Sequence, residues 1–373
     1  WAGPFLWAVV ALAVLGAVAW SFIDPSRAVW VAVSVLIVTC PCAFSLAAPA
    51  ALVAAAGGLA RRGVVFQRLE AIEALAGVSQ VFIDKTGTLT EDRLTLREVR
   101  LLPAADVDAD AALAAAGALA RWSQHPLSRV LAAAAGDTDG DWRDVEEQGG
   151  QGLAGTDAAG VPWRLGAWAW VGGDGEPPVP DVRVWLSRAG RVQAGFVLEE
   201  ALREGAAAAV AELRAMGLRL TLLSGDERGR AQAMARRLGL DDGVGQASPE
   251  DKLACVAAAQ AGGAKVAMVG DGINDAPVLA RADVSLAMGQ GALVARTQAD
   301  AVIASNRPAD LVQARHVAKK TMRLVRQNLA WAAFYNAACI PLALVGWLPP
   351  WAAGLGMAAS SLLVILNALR AAR

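Results

Sequence analysis

Residues 84–90 read Asp84-Lys85-Thr86-Gly87-Thr88-Leu89-Thr90, and they decide how the rest of the chain is interpreted. The six residues before them, 78–83, form a mostly apolar run with β-branched and aromatic side chains, which predicts a strand that ends at Asp84. A carboxylate at a strand end, before a turn of small residues, can attack a phosphoryl group and form an acyl phosphate. The segment therefore predicts a nucleophilic aspartate in an α/β domain.

Two later strand-like runs also end in acidic loops. Residues 218–223 lead into Ser224-Gly225-Asp226, and residues 265–269 lead into the loop 270–275, which reads Gly-Asp-Gly-Ile-Asn-Asp. Alanine-rich helical stretches separate these runs, and alternation of strand and helix predicts a parallel sheet with a site at the carboxyl ends of its strands. Residues 98–198 are rich in Gly and Trp and break this rhythm, which predicts a second domain inserted after the first strand.

The charged residues are distributed very unevenly. The 373 residues are 55% hydrophobic and 18% charged, and the runs 1–23, 28–60 and 327–369 contain no charged residue. Because roughly 20 apolar residues cross a bilayer, these runs predict transmembrane helices, and the prolines at 349 and 350 divide the last run into two, giving four helices. The run 28–60, interpreted as one helix, would be about 50 Å long.

Basic residues flank the apolar runs on one side, which predicts a cytoplasmic location for the charged middle of the chain. The protein is thus expected to be a multi-pass protein of the cytoplasmic membrane. Between residues 61 and 326 the net charge is −3, from 31 basic and 34 acidic residues, which excludes a strongly basic nucleic-acid binder. A purely soluble protein is excluded by the apolar runs.

A Cys40-Pro41-Cys42 triplet lies inside the second apolar run. Polar or ionisable groups at membrane depth usually serve a function, and a proline there opens the helix. Two thiolates without imidazole or carboxylate partners suit a soft ion, Cu(I) before Zn(II). The triplet therefore predicts a transmembrane metal site.

Taken together, these stretches resemble the motifs of P-type ATPases, the ion pumps built on a haloacid dehalogenase-like core. The resemblance implies an aspartyl phosphate at Asp84 and a role for Lys252 in neutralising the transferred phosphoryl group. It also implies that Ser224, Gly225 and Asp226 hold the phosphate. The implied Mg²⁺ ligands are Asp84, the Thr86 carbonyl and Asp271, with Asn274 and Asp275 completing the cage.

The inserted domain is expected to bind ATP. His125-Pro126 resembles the His-Pro pair of the heavy-metal subclass, whose imidazole packs on the adenine, and Gly150 and Gly152 fall where the family has a glycine pair. A lone G-x-G-x-x-G pattern would be weak evidence by itself. Where the family often has a Glu five residues before the His, this chain has Ala120, so the adenine contacts are expected to differ.

The last two apolar helices carry the residues that distinguish the cargo. Tyr335-Asn336, with Met357 and Ser361, resembles the copper(I) subclass, and a thioether at 357 could join the two thiolates. The zinc, cadmium and lead subclass carries a Lys and an Asp in these helices, and neither occurs between residues 327 and 369. The resemblance therefore implies export of Cu(I), with Ag(I) as an ion of the same softness.

The fold expected from the resemblance is a multidomain membrane protein with four transmembrane α-helices, an α/β haloacid dehalogenase-like phosphorylation domain and an inserted α+β nucleotide-binding domain. The predicted boundaries are 1–60 and 319–373 for the two transmembrane pairs, 61–97 with 199–318 for the phosphorylation domain, and 98–198 for the nucleotide-binding domain. No Thr-Gly-Glu loop of the kind that directs water onto the acyl phosphate is present. The expected partners are membrane lipid, a copper donor protein or chelator, and an amino-terminal half of the same pump that carries the actuator and metal-binding domains.

Three alternatives remain open from the sequence. One is a zinc- or cadmium-transporting P-type ATPase, and another is a membrane-anchored phosphatase of the haloacid dehalogenase type. Such phosphatases commonly have a second Asp two residues after the nucleophile as general acid, whereas this chain has Thr86, which favours a phosphoenzyme that persists. The third alternative is a non-catalytic copper-binding protein, which would not need the intact segment 84–90.

Overall fold

The structure is a computed structural model, and it describes residues 2–39, 42–138, 140–179, 181–271 and 275–372. It divides into two compact units, one formed by Trp1–Leu89 with Glu204–Arg373 and the other by Thr90–Arg203. The first unit contains the Asp84 segment and the apolar helices, and the second contains the His125-Pro126 pair.

The described residues form strands and helices that are numbered separately along the chain. The strands are β1 Val64–Phe66, β2 Gln80–Asp84, β3 Thr90–Leu101, β4 Arg143–Gln148, β5 Gly152–Thr156, β6 Pro162–Gly166, β7 Val184–Arg188, β8 Arg191–Leu202, β9 Arg219–Leu223, β10 Asp242–Val244, β11 Val266–Gly270, β12 Val284–Met288 and β13 Ala301–Ile303. The helices are α1 Ala2–Ile23, α2 Pro25–Val38, α3 Cys42–Ala60, α4 Glu70–Gly77, α5 Ala109–Ala120, α6 Pro126–Ala135, α7 Ala206–Ala215, α8 Arg228–Leu238, α9 Pro249–Ala261, α10 Ala276–Arg281, α11 Leu293–Gln298, α12 Pro308–Leu344 and α13 Pro350–Ala368, followed by a 3₁₀ turn, Leu369–Ala372.

A seven-stranded sheet forms the centre of the first unit, in the order β1-β13-β12-β11-β2-β9-β10. All neighbouring strands are parallel except the edge strand β1, which runs antiparallel to β13. The inner strands are almost wholly buried, as expected for a parallel sheet covered on both faces. Because β2, β9 and β11 are neighbours in register, the loops after them lie at one edge, and this confirms the predicted parallel sheet.

Helices α9, α10 and α11 contribute to the hydrophobic core that lies against one face of this sheet. Its buried members are apolar side chains from both strands and helices: Phe82, Leu223, Val256, Val266, Met268, Val278, Leu279 and Ala295. Helix α9 begins with a capping box in which Ser248 and Asp251 each bond to the other's backbone N–H group. This fixed start determines where the fourth residue after the cap, Lys252, projects.

The apolar helices differ from the sequence interpretation in one respect. The run 28–60 does not form one helix, because α2 ends at Val38 and α3 begins at Cys42. Residues 40 and 41, which lie between these two helices, are outside the described residues. Within the described residues, one helical segment, Pro350–Ala372, has both the length and the composition to cross a membrane. The number of four transmembrane helices therefore remains a prediction.

Helix α12 is the longest element of the chain and joins the charged and apolar parts of the first unit. Its buried Arg315 donates hydrogen bonds to the carbonyl oxygens of Leu75 and Val78, at the end of α4 and directly before β2. Farther along, Asn328 donates to the Val364 carbonyl oxygen of α13 at 3.2 Å. The same helix thus contacts the segment that leads to Asp84 and the helix that carries Met357.

The second unit is a six-stranded antiparallel sheet in the order β3-β8-β7-β6-β5-β4. Helices α5 and α6 pack on it around a core that contains Leu119, Leu131, Leu165, Leu186 and Phe196. This is an α+β arrangement, as predicted for the nucleotide-binding domain.

Candidate functional site

Asp84 is the last residue of β2 and is buried at the carboxyl edge of the seven-stranded sheet. The loop Lys85–Leu89 turns away at once because Gly87 adopts a φ of +69°, a conformation that favours glycine. A Cβ atom at Gly87 would lie 1.5 Å from Oδ2 of Asp271. The glycine therefore lets the loop after β2 pass directly against a carboxylate of the loop after β11.

Lys252 bridges two carboxylates of this edge. Its Nζ atom lies 2.6 Å from Oδ1 of Asp84 and 2.8 Å from Oδ1 of Asp275, and all three side chains are buried. Because Asp275 comes from the start of α10 and Lys252 from α9, three segments distant in sequence meet at one ammonium group. Such a group can neutralise charge that develops on a phosphoryl oxygen.

Asp84, Asp271 and Asp275 form a cluster in which one carboxylate oxygen from each residue lies within 4.8 Å of the other two. Oxygen donors of this kind are the ligands that Mg²⁺ prefers, so the residues present fit the implied cation. Asn274, a further predicted ligand, lies outside the described residues. Thr86 is exposed beside the cluster, with an extended backbone of φ −73° and ψ 132°.

The cluster changes the acidity of its members. Burial, followed by repulsion from Asp275, raises the pKa of Asp84 to about 7, although Lys252 acts in the opposite direction. Burial by itself would lower the pKa of Lys252, but attraction to Asp84 and Asp275 outweighs it and raises that pKa above its ordinary value. Lys252 therefore stays protonated here, whereas Asp84 holds its proton to a higher pH than an ordinary aspartate even beside this lysine.

The loop after β9 contributes the next predicted residues. Ser224 is buried, and its Oγ atom accepts a hydrogen bond from the backbone N–H of Asp226 at 3.1 Å. Gly225 is exposed, and a Cβ atom there would meet nothing within 4 Å. The side chain of Asp226 pairs with Nζ of Lys85 at 2.6 Å. Sequence interpretation did not assign a role to Lys85, which ties the loop after β9 to the loop that follows Asp84.

In the second unit, His125 is the N-cap of α6 and Pro126 is its first residue. The His125 ring is exposed, and its Nδ1 atom accepts a hydrogen bond from the backbone N–H of Leu127 at 3.3 Å. Gly150 has a φ of +75° in the turn between β4 and β5. A Cβ atom at Gly152 would lie 2.1 Å from the Leu165 carbonyl oxygen, so packing between β5 and β6 alone accounts for that glycine.

The predicted cargo residues are only partly described. Cys40 lies outside the described residues, and Cys42 is described by its backbone alone. Tyr335 and Asn336 are half-buried on α12, and Met357 and Ser361 are half-buried on α13. A Cβ atom at Gly356, next to Met357, would lie 2.9 Å from the Tyr335 hydroxyl oxygen. The structure thus brings Tyr335 beside the Met357 turn of α13.

Polar contacts also join these two helices one turn away. The indole N–H of Trp331 donates to Oγ of Ser360 at 3.1 Å, and Ser360 is buried. The facing surfaces of α12 and α13 are therefore polar but uncharged at this level.

Known proteins match the chain over nearly its whole length. A profile of the haloacid dehalogenase-like hydrolase family matches residues 78–283. The "Copper-exporting P-type ATPase" of Mycobacterium tuberculosis (strain ATCC 25618 / H37Rv) is 37% identical over 98% of this chain and 49% of its own. The "Nitrogen fixation protein FixI" of Rhizobium leguminosarum bv. viciae is 39% identical over 96% of this chain and 47% of its own.

A solved structure of a zinc-transporting PIB-type ATPase in the E2.Pi state is similar with a TM-score of 0.83 and 29% identity. It covers 99% of this chain and 62% of the solved one. The chain spans about half the length of the curated relatives that it matches.

Proposed function

Because the chain belongs to the heavy-metal P-type ATPases, which share the haloacid dehalogenase-like core, we propose that it contributes the phosphorylation, nucleotide-binding and metal-binding parts of an ATP-driven Cu(I) exporter. The observation that carries the proposal is the buried arrangement of Asp84, Lys252, Asp271 and Asp275. An isolated buried carboxylate would be costly, but one that is paired with a lysine at the end of a strand is suited to attack a phosphoryl group.

In the proposed reaction, an Oδ atom of Asp84 attacks the γ-phosphorus of ATP. The new oxygen–phosphorus bond forms as the bond from the γ-phosphorus to the β–γ bridging oxygen breaks, and the electron pair stays on that oxygen of the departing ADP. The ammonium group of Lys252, 2.6 Å from Asp84, neutralises charge on the transferred group without a change in its own protonation. The product is an acyl phosphate on Asp84.

The loop after β9 supports the transferred group. The Ser224 hydroxyl accepts from the Asp226 N–H and keeps its proton for a phosphate oxygen, while Lys85 holds Asp226 in place. Mg²⁺, held by Asp84, Asp271 and Asp275 with the Thr86 carbonyl, would supply charge neutralisation at the phosphoryl oxygens when bound. Thr86 offers no carboxyl group to activate water, which supports a phosphoenzyme that persists rather than a phosphatase.

Nucleotide binding is proposed for the second unit. The exposed His125 ring provides a flat surface for a purine, and its orientation is fixed by its role as helix cap. The turn that contains Gly150 would lie against the rest of the nucleotide, because a Cβ there meets no protein atom within 4 Å and leaves room for a ligand.

Copper(I) is the proposed cargo, bound by the thiolates of Cys40 and Cys42 and the thioether of Met357, with Tyr335, Asn336 and Ser361 around them. Soft sulfur ligands and the absence of charged residues between 28 and 60 and between 327 and 369 support a soft monovalent ion. The names of the copper-exporting relatives support the same cargo. Zinc is the second candidate, favoured by the likeness to zinc-transporting structures.

The proposed setting is the cytoplasmic membrane, with both units in the cytoplasm. Cu(I) would come from a donor protein or chelator at the cytoplasmic ends of the apolar helices and leave on the opposite side. The amino-terminal half of such a pump, with its actuator and metal-binding domains, would complete the catalytic cycle. These assignments extend the membrane location of the relatives to this chain.

Phosphorylation is the first test. The detergent-solubilised chain is incubated with [γ-³²P]ATP and Mg²⁺, quenched in acid, and treated with hydroxylamine. We expect acid-stable label that hydroxylamine removes, as an acyl phosphate requires. Absence of label from wild type, or label that resists hydroxylamine, would overturn the phosphoenzyme.

Cargo is tested by binding of Cu(I) and Zn(II) to the same chain under one set of conditions. We expect tight Cu(I) binding that the Cys40→Ala/Cys42→Ala variant loses, and weaker Zn(II) binding. Cys255→Ala is the matched control, since that thiol lies on α9 and outside the apolar helices. Equal or tighter Zn(II) binding would replace the copper assignment with the zinc one and leave the ATPase proposal intact.

A further inference from the structure

The His125 loop is held by a short chain of hydrogen bonds that the proposed function does not by itself require. The Ser123 hydroxyl is buried, donates to Oε1 of Glu147 at 2.5 Å, and accepts from the backbone N–H of His125 at 3.0 Å. Glu147 lies on β4, 24 residues after Ser123. A carboxylate from one strand therefore fixes the backbone of the residue whose ring faces solvent.

Glu147 also lies close to the glycine turn. It pairs with Leu153 across β4 and β5, and Gly150 follows it by three residues with a φ of +75°. The relay Glu147–Ser123–His125 thus links the two segments to which the nucleotide has been assigned. The link depends on the Glu147 side chain, which is exposed to solvent.

The protonation of the His125 ring follows from its cap. Because Nδ1 accepts from the Leu127 N–H, the neutral ring carries its proton on Nε2 and keeps its face for stacking. A ring face can stack on any purine and does not distinguish one from another. Discrimination between purines needs a hydrogen-bonding group at the edge of the base.

A carboxylate that is hydrogen-bonded to the His125 loop can provide that group. Ala120, at the end of α5 just before this loop, is buried and has no polar side-chain atom. Within the part of the chain that the structure describes, Glu147 is the carboxylate shown to be hydrogen-bonded to residues 123–125. One of its oxygens is engaged by Ser123, and the second is an acceptor on a solvent-exposed side chain.

We propose that Glu147 is the residue that selects the purine, by accepting a hydrogen bond from the 6-amino group of adenine while His125 stacks on the ring. This rests on the proposed ATP site in the second unit. A carboxylate is an acceptor only, so it pairs with a 6-amino donor and repels the 6-oxo acceptor of guanine. No bond is made or broken, and Glu147 keeps its charge.

The test is equilibrium binding of ATP and of GTP to the full detergent-solubilised chain, measured as two dissociation constants. For Glu147→Gln we expect ATP to bind about tenfold more weakly, as for loss of one charge-assisted hydrogen bond. The amide also offers a donor to the 6-oxo group, so the preference for ATP over GTP should fall to near one. Glu146→Gln is the matched control, because neighbouring strand residues face opposite ways and Glu146 is also exposed.

A second variant separates reading of the base from positioning of the loop. Ser123→Ala breaks the relay but keeps the Glu147 carboxylate, so it should weaken ATP and GTP to a similar extent and preserve their ratio. An ATP-to-GTP ratio that Glu147→Gln leaves at the wild-type value overturns this inference and leaves the ATP site standing. A wild-type chain that binds no ATP overturns the proposed nucleotide site, and the inference with it.

Discussion

The Asp84 cluster and the candidate metal residues of the apolar helices lie in the same unit but differ in the charge of their side chains. At Asp84, three carboxylates and one lysine are gathered within a few ångströms, and Lys252 pairs with two of the carboxylates, Asp84 and Asp275. Around Tyr335 and Met357 the described side chains are polar or polarisable and none carries a formal charge. The first arrangement suits a phosphoryl group with a hard divalent ion, and the second suits a soft monovalent ion.

This difference in charge predicts that substitutions in the two regions have different effects. Loss of one charge from the Asp84 cluster leaves another buried charge without its partner, so the effect should be large and local. Loss of one neutral ligand in the helices removes a donor without creating an uncompensated charge. Substitutions can therefore separate phosphorylation from cargo binding, and four experiments sharpen or break that separation.

The largest effect is expected for Asp84→Asn. The amide cannot form the acyl phosphate, so acid-stable labelling by ATP should fall by at least about 10³-fold. Cu(I) stoichiometry should stay that of wild type, because position 84 lies outside the apolar helices. Glu250→Gln, an exposed change two residues from Lys252, serves as control. Label retained by the Asp84→Asn variant, or loss of its Cu(I), would break the comparison.

Gly87→Ala should come next. The added methyl group meets the Asp271 carboxylate and the residue is held at a positive φ, so the loop or Asp271 must move. A displacement of about 1 Å at a reacting centre costs about 10²-fold, and we expect that loss in the rate of phosphoenzyme formation, with a higher Mg²⁺ requirement. Gly229→Ala, whose Cβ meets nothing within 4 Å, is the control. A wild-type rate for Gly87→Ala would contradict the packing described for this loop.

A smaller effect is expected for Met357→Leu. The substitution keeps the volume and removes the thioether, so Cu(I) affinity should fall by about tenfold, the lower range of losses at metal sites. Labelling of Asp84 by inorganic phosphate should be unchanged. Met322→Leu, on the part of α12 before the apolar run, is the matched control. Equal Cu(I) affinities for both variants would remove Met357 from the ligand set.

The most gradual effect concerns how stability without metal changes with pH. Because the folded pKa of Asp84 is raised to about 7 from 3.8, the folded chain binds more protons than the unfolded one between those values. The free energy of unfolding should therefore fall as pH rises from about 4 to 7, by at most about 1.4 kcal/mol per pH unit, and level off above. Thermal unfolding in EDTA between pH 5 and 8 measures this slope, and Asp84→Asn should reduce it. Equal slopes in the two proteins would assign the dependence to other groups.

Contiguous motifs made much of the Asp84 region predictable. Each strand carries its reactive residue at its own carboxyl end, so the parallel topology alone brings residues 84, 226 and 271 to one edge. Lys252 could be expected there only from the family resemblance, since its position depends on how α9 is capped and packed. The ion pair between Lys85 and Asp226 could not be foreseen, because it depends on the relative height of two loops.

Other features depend on packing that no local pattern encodes. The bond between Ser123 and Glu147 requires the register of β4 beside the start of α6, and Gly152 is explained by a close approach of β5 to β6 rather than by a motif. The end of α2 at Val38 was not expected, because the absence of charges between 28 and 60 suggested a single span. The absence of charged residues predicts that a segment lies in a membrane, but it does not predict whether the segment forms one continuous helix.

Helix α12 has a mechanical consequence. Its 37 residues form a rod about 55 Å long, and Arg315 and Tyr335 are separated on it by about 30 Å. Arg315 clamps the rod to the residues that lead into β2, the strand that ends at Asp84. A tilt of about 5° at the clamp displaces Tyr335 by about 3 Å, which is more than the length of a metal–sulfur bond of about 2.3 Å. Under the proposed function, a small rotation beside Asp84 would therefore change the distance between Tyr335 and a metal ion held by the apolar helices.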